Sequence, residues 1–328
     1  MKALVTGATG FVGGHLVAAL RERGDEVTCL ARRPERAAAL AALGARVVPG
    51  SLEDGASLEA AARGADVVYH LAGLTAAPSE REFLAVNRDG TARLLAALAA
   101  AAPGARRLIH VSSIAAVGPA ARGSLLDEGS TCRPVTAYGR SKLAGEGVVR
   151  AAAVAWTIVR PAVVYGPGDR ELLRMFRIAR YGVAPVFGLR GGAQELSVIH
   201  AADLAAALLA AARVPAAAGQ TYHIAHPAIV RVRELARAIG RAVRGSAPVL
   251  VPVPATLAAP IVRVIARRAA AAGRLTVVSE DKLAEFMAPA WGTSVGKAER
   301  ELGWRATREL AGGIAETAAW YREHGWLA

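Results

Sequence analysis

Thr6-Gly7-Ala8-Thr9-Gly10-Phe11-Val12-Gly13 is the stretch that decides the fold. It follows a short apolar run, residues 3–5, and leads at once into a helical pattern over residues 12–23. Glycines at this point allow a tight strand-to-helix turn, and they let backbone N–H groups approach a pyrophosphate at the helix N-terminus. The G-x-x-G-x-x-G spacing is one residue wider than the familiar G-x-G-x-x-G. A glycine triplet is a weak signal in a chain with 34 glycines. Its position between the first strand and the first helix makes it a strong one.

Outward from that turn, short β-branched runs alternate with longer helical patterns. Residues 26–30, 46–48, 67–71, 107–111 and 156–159 read as strands. Residues 36–43, 58–62, 83–101 and 138–153 read as helices between them. Such alternation predicts an α/β fold, a Rossmann-type doubly wound parallel sheet with helices on both faces. After Tyr165-Gly166-Pro167-Gly168 the rhythm weakens, although a helix over 203–212 and a strand over 221–224 are expected to return to the sheet. The division expected is a dinucleotide-binding domain, residues 1–167, with 196–226 returning to it. Residues 168–195 and 227–328 then make a smaller, interleaved substrate-binding lobe.

The end of the second strand selects the cofactor, because a carboxylate there binds a ribose 2′-OH and an arginine accommodates a 2′-phosphate. Here the chain reads Ala31-Arg32-Arg33-Pro34, with two guanidiniums and no acid. NADP is therefore expected ahead of NAD. Tyr138-Gly139-Arg140-Ser141-Lys142 opens a helical pattern, and a spacing of four sets Tyr138 and Lys142 on one helix face. An ammonium near a phenol stabilises the phenolate and brings the tyrosine into range as an acid or base. Lysine is scarce in this chain (Lys2, Lys142, Lys282 and Lys297 are the only four), which argues against an accidental placement. Upstream, Val111-Ser112-Ser113 closes a strand, where either serine could reach a substrate oxygen or cap a turn.

Together these motifs resemble the extended short-chain dehydrogenase/reductase family, also called the NAD-dependent epimerase/dehydratase family. The resemblance also takes in His70-Leu71-Ala72-Gly73, Asn87 with Gly90-Thr91, Arg160-Pro161, Ile199–Leu204 and the closing stretch 297–304. It implies Ser113, Tyr138 and Lys142 as the catalytic set, with Lys142 also on the nicotinamide ribose. It implies cofactor contacts at Gly7, Gly10, Phe11, Val12 and Gly13, with Arg32, Arg33, Ser51 and Leu52 on the adenosine side. Further contacts are implied at Leu71, Ala72, Gly73 and Asn87, and at Pro161 and Val163. Ser51 departs from the family, which usually has an aspartate there. Ile114-Ala115-Ala116 stands where sugar-nucleotide dehydratases have an Asp-Glu pair, and Val163 and Leu196 stand where nucleotide-sugar epimerases have asparagine and arginine. What remains looks like the branch of 3β-hydroxysteroid dehydrogenases and dihydroflavonol reductases, which act on apolar alcohols and ketones. A nucleotide-sugar epimerase is the alternative, and a non-catalytic NADP-binding sensor or assembly protein a more distant one.

Composition bounds the rest. Of 328 residues, 53% are hydrophobic and 5% aromatic, which excludes disorder and a small disulfide scaffold. Forty Lys+Arg against 27 Asp+Glu give a formal charge of +13, but the basic residues are scattered and read as a solvated surface, not a nucleic-acid site. Cys29 and Cys132 show no metal-ligand spacing, so no metal is expected; Cys29 reads as a core filler in a reducing compartment. The chain reads directly into a strand, and four prolines interrupt the uncharged run 245–262, so a cytoplasmic protein is expected. Residues 257–275 carry Arg263, Arg267 and Arg274 at helical spacing. A basic amphipathic helix can lie on an anionic membrane, but the reading adopted is an ordinary helix over the substrate lobe. The expected partners are a small-molecule substrate and a second copy in a homodimer, through helices such as 83–101 and 138–153.

Overall fold

A computed structural model describes residues 1–188, 191–254 and 280–327, with positions 260, 264 and 268. Its strands are β1 (Lys2–Thr6), β2 (Glu26–Ala31), β3 (Arg46–Pro49), β4 (Val67–His70), β5 (Arg107–Val111), β6 (Trp156–Pro161) and β7 (Val163–Tyr165). There follow β8 (Val183–Phe187), β9 (Glu195–Leu196), β10 (Val198–His200), β11 (Gln220–Ile224), β12 (Val230–Arg231), β13 (Val249–Val253) and β14 (Ala290–Trp291). The helices are α1 (Phe11–Glu22), α2 (Ala38–Ala42), α3 (Gly55–Ala62), α4 (Glu80–Asn87), α5 (Asp89–Ala101) and α6 (Ala137–Arg150). Then come α7 (Leu173–Ala179), α8 (Ala201–Arg213), α9 (Val232–Arg244), α10 (Glu280–Met287), α11 (Gly296–Leu302) and α12 (Leu310–Glu323).

Seven parallel strands form the central sheet in the order β3-β2-β1-β4-β5-β6-β11. Parallel strands need helical crossovers, which cover both faces and explain why β4 is buried throughout. The two-residue period sorts the core. Leu4, Val68, Leu108 and Ile158 meet Leu58, Leu94 and Leu98 of α3 and α5 on one face. Val5, Tyr69, Ile109 and Val159 meet Leu16 and Leu20 of α1 and Leu204 and Leu208 of α8 on the other. A third cluster, around Phe176, Leu235, Ile239, Trp291, Ile314 and Tyr321, holds α7, α9 and α12 together. Truncating any one of these leucines to alanine costs about 2–5 kcal/mol. Strand order reverses between β1 and β4, so the crevice beyond their C-terminal ends is the place for a ligand.

Two sequence expectations change. The helix expected over 83–101 starts earlier, at Glu80 behind a Ser79 cap, and breaks at Arg88 into α4 and α5. There the Thr91 hydroxyl takes the Asn87 carbonyl at 2.8 Å, and Gly145 of α6 packs on the same carbonyl. A side chain reaching back to the i−4 carbonyl bends a helix in this way. The pattern over 36–43 opens with a 3-10 turn, Pro34–Ala37, before α2. The run 245–262 contains β13, and the basic pattern over 257–275 lies outside the described residues. Cys29 is fully buried, and burial pushes its thiol up to about 12. Among the described residues no helix is long and apolar enough to cross a membrane.

Candidate active site

Gly7 takes φ +76°, and a Cβ there would stand 2.6 Å from the Ala72 backbone nitrogen. Gly13 is equally constrained, because a Cβ would collide with the Gly7 carbonyl. The Gly10 N–H donates to the same carbonyl at 3.0 Å. Gly10 is the N-cap of α1 and gives no side-chain cap, and the first turn holds no acid. The leading N–H groups and the positive end of the helix are thus left for an anion, which is what a dinucleotide pyrophosphate requires. Phe11 and Val12 are half-buried beside this turn. His15 Nε2 bonds the Pro167 carbonyl at 2.8 Å, tying the Tyr165–Gly168 loop to α1.

Beneath the turn runs a closed relay. The Thr91 hydroxyl spends its proton on Asn87, so it accepts from His70 Nε2 at 2.9 Å. His70 Nδ1 then accepts from Thr6 at 2.7 Å. Burial lowers the His70 pKa to about 3, so the ring is neutral. Asn87, expected to touch the cofactor, has its amide engaged otherwise. Oδ1 accepts from Leu74 N–H at 2.8 Å, and Nδ2 donates to the Leu74 carbonyl and to Ser141 Oγ. It fixes the loop that carries Leu71, Ala72 and Gly73, and Gly73 has no room for a Cβ against Asn87 Oδ1.

On the adenosine side, Arg32 and Arg33 are exposed just past β2. Gly50 N–H donates to the Ala31 carbonyl, which brings Ser51 and Leu52 alongside. Ser51 Oγ accepts from Glu53 N–H at 3.2 Å, while Leu52 is buried against Gly90. Pro161, buried, closes β6 opposite Ile224, and half-buried Val163 pairs with Val198.

Ser113, Tyr138 and Lys142 converge at the end of β5. Ser113 caps the 3-10 turn Ile114–Ala116 and lies beside the Tyr138 phenol. Thr136 caps α6 through Gly139 N–H at 3.0 Å, placing Tyr138 in the first turn. Gly139 has to be glycine, since a Cβ would strike the Ala115 carbonyl and hold α6 away from the Ser113 turn. Buried Lys142 donates from Nζ to the Val111 carbonyl at 2.6 Å. Burial lowers its pKa to about 8, against the opposing pull of Glu146. For Tyr138, burial dominates and raises the pKa. Ser113 acts in the opposite sense, and the Glu171 and Glu285 charges add to the rise. The phenol is therefore protonated at neutral pH, the state a proton donor needs. In this chain the lysine charge expected beside the phenol is held on the Val111 carbonyl.

The profile of the NAD dependent epimerase/dehydratase family matches residues 3–225. The chain belongs to this family. A ceramide reductase from Caulobacter vibrioides is 40% identical over 211 residues, 64% of this chain and 61% of that protein. The chain thus matches under two thirds of that relative's length. A 4-hydroxy-2-methyl-3-oxo-4-farnesyl-3,4-dihydroquinoline-1-oxide ketoreductase from Stigmatella aurantiaca is 32% identical over 71% of this chain and 70% of its own. Among solved structures, the dTDP-glucose 4,6-dehydratase DesIV from Streptomyces venezuelae, with NAD and TYD bound, superposes with a TM-score of 0.79. It is 26% identical and covers 99% of this chain and 98% of that one.

Within this epimerase/dehydratase chain lies a polar cluster that the motifs do not announce. Glu146, on α6 one turn beyond Lys142, is completely buried. Arg160 grips it with two parallel bonds, Nε to Oε1 at 2.8 Å and Nη2 to Oε2 at 2.7 Å. Ser112 donates to Oε1 at 2.6 Å. Burial pushes the Glu146 pKa up, but Arg160 and Ser112 overcome it and hold the carboxylate ionised. Arg160 also reaches His223 and Cys132. An arginine inside an apolar strand pattern was the available signal. The cluster locks α6 to β5 and β6, and with it the tyrosine to the serine turn. Asp203, in the Ile199–Leu204 stretch, has a comparable duty, accepting from Thr307 and Arg308 and so anchoring the C-terminal segment.

Proposed function

We propose that the chain is an NADP(H)-dependent oxidoreductase interconverting a ketone or aldehyde with a secondary alcohol on a mostly apolar small molecule. The observation that carries this is the meeting of Ser113 and Tyr138 at the sheet's C-terminal edge, with Lys142 one turn along the same helix. The bare N-terminus of α1 fits a pyrophosphate, and Arg32 with Arg33 fits a 2′-phosphate. When bound, the nicotinamide supplies or takes the hydride. In reduction, Ser113 holds the substrate oxygen and Tyr138 gives it a proton. Lys142, which donates to the Val111 carbonyl in this structure, is assigned to the nicotinamide ribose, from which its charge would stabilise the phenolate left behind.

Apolar substrate preference has separate support. Leu196 lies in the core against Val230, not at a polar contact, and Val163 offers no hydrogen-bonding side chain. Two relatives are named for a ceramide and for a farnesyl-bearing ketone. These features support a reading nearest the 3β-hydroxysteroid dehydrogenase and dihydroflavonol reductase branch, in which residues 168–195 and 227–328 are assigned to the substrate. A panel of ketones and alcohols, including ceramides, sterols and flavonoids, should reveal turnover as an absorbance change with NADPH or NADP. Appearance of a 4-epimer from a UDP- or GDP-sugar, without release of the cofactor, would replace this reading by the epimerase.

A further inference from the structure

The two-stranded sheet of β8 and β13 has unlike faces. Ala184 and Val186 are buried, whereas Val183, Pro185, Val249 and Val251 are exposed, Val249 by 67% and Val251 by 43%. The register sets Val183 beside Val249 and Pro185 beside Val251, so these four share one side. Tyr181, 70% exposed, stands at one end. At the other end Phe187 stacks on Phe286 with ring centroids 5.0 Å apart, next to exposed Met287. Single exposed apolar residues are ordinary; a contiguous strip of them marks a contact surface.

Its surroundings are basic. The Arg244 guanidinium lies over Gly182, immediately before Val183. Exposed Arg180 lies over the ring of Tyr181, 4.8 Å from its centroid. We propose that this face docks the protein on an anionic lipid bilayer, the valines entering the acyl boundary and the arginines meeting the headgroups. Aliphatic side chains beside arginines suit that interface. Two copies meeting through this face would set like charges against each other. The strip ends at α10, where Glu285 accepts from Thr136, the cap of the tyrosine's helix, at 3.3 Å. A lipid-borne substrate would thus be taken up close to the site. The proposal deepens the apolar-substrate reading, and its test is independent of turnover.

The purified protein is sedimented, without substrate or cofactor, with vesicles of phosphatidylcholine alone and of phosphatidylcholine with phosphatidylglycerol. Several arginines near an anionic surface should favour the second by about tenfold or more, and raised salt should erode the difference. Joint replacement Val249→Glu and Val251→Glu should cut that binding by about tenfold while leaving the thermal midpoint unchanged. Joint replacement Arg180→Gln and Arg244→Gln keeps the apolar strip and should weaken only the anionic binding, which decides the matter if the first variant misfolds. Equal binding to both vesicles, or none to either, overturns the proposal. So does self-association that Val249→Glu abolishes in a protein that ignores vesicles.

Discussion

Ser112 and Ser113 leave the end of β5 in different directions: Ser112 donates to buried Glu146, and Ser113 caps the 3-10 turn Ile114–Ala116 beside the Tyr138 phenol. Neighbouring residues on an extended backbone point to opposite sides, so one serine serves the fold and the other the site. Ser113→Ala should lower turnover by about a hundredfold, the usual cost of losing a donor to a reacting oxygen. Ser112→Ala should leave turnover of the folded enzyme intact and cost about 1–3 kcal/mol of stability. Steady-state kinetics and urea midpoints on both variants separate the roles, and the reverse pattern would move the catalytic assignment to Ser112.

Glu146 and Arg160 are both almost fully buried and are joined by two bonds. Breaking a buried pair from one side strands a charge, at about 3–5 kcal/mol. Glu146→Gln should therefore lower the urea midpoint sharply. Joint replacement by Leu at 146 and Met at 160 should recover most of the loss, because no unpaired charge remains. A double variant as unstable as the single one would mean that the Ser112 and His223 contacts matter more than the ion pair.

Arg32 and Arg33 project from the end of β2 with no acid in the segment. A guanidinium on a 2′-phosphate makes a charge-assisted bond that NAD cannot offer. Titration of both dinucleotides should show NADP bound more tightly. Arg32→Ala should weaken NADP by about tenfold or more and NAD hardly at all. Equal affinity in the wild type would remove the basis for an NADP enzyme.

What the sequence exposes and what it hides differ for a physical reason. The glycine turn is legible because no other side chain fits at Gly7 or Gly13, and the sheet because buried parallel strands read as apolar runs. The Arg88 break is not, since it depends on Gly145 of α6 packing against the Asn87 carbonyl. Asn87 was marked by its motif, but only the structure shows that its amide holds the Leu74 backbone. Tyr138 and Lys142 could be placed on one helix face by spacing, yet what their charges meet is set by β5 and the lobe. Further along, β9 pairs with β12 and β14 through two-residue contacts distant in sequence, too short for any periodicity to announce.

Acid should unfold the protein through its buried histidines. Burial lowers His70 to about 3 and His223 to about 4, with Lys142 and Arg160 respectively adding to the effect. A folded-state pKa below the unfolded value near 6.5 means that the unfolded chain binds the proton more readily. The stability is thus complete above about pH 6.5 and is lost as the pH falls through the window toward 4 and 3. By pH 4 the loss is about 3 kcal/mol for His70 alone. His70→Gln, which keeps donor and acceptor groups for Thr6 and Thr91, should flatten the thermal midpoint profile between pH 6.5 and 4. An unchanged acid slope would place the titrating group elsewhere.

Tyr138→Phe tests the engine itself. The substitution keeps the ring and its packing on Phe83, 6.0 Å between centroids, and removes only the hydroxyl beside Ser113. General acid catalysis contributes about a hundred- to ten-thousandfold, so turnover on a confirmed substrate should fall by at least that lower bound. Dinucleotide affinity should barely move, because the pyrophosphate cradle and Arg32 lie on other elements. Lys142→Ala differs: its ammonium is assigned both to the ribose and to the phenolate, so affinity and turnover should fall together. Near-normal turnover in Tyr138→Phe would show that another group delivers the proton. Tight NADP binding by a wild type that turns over nothing in the panel would instead favour a non-catalytic sensor on this scaffold, and the two variants would then differ only in how well they bind.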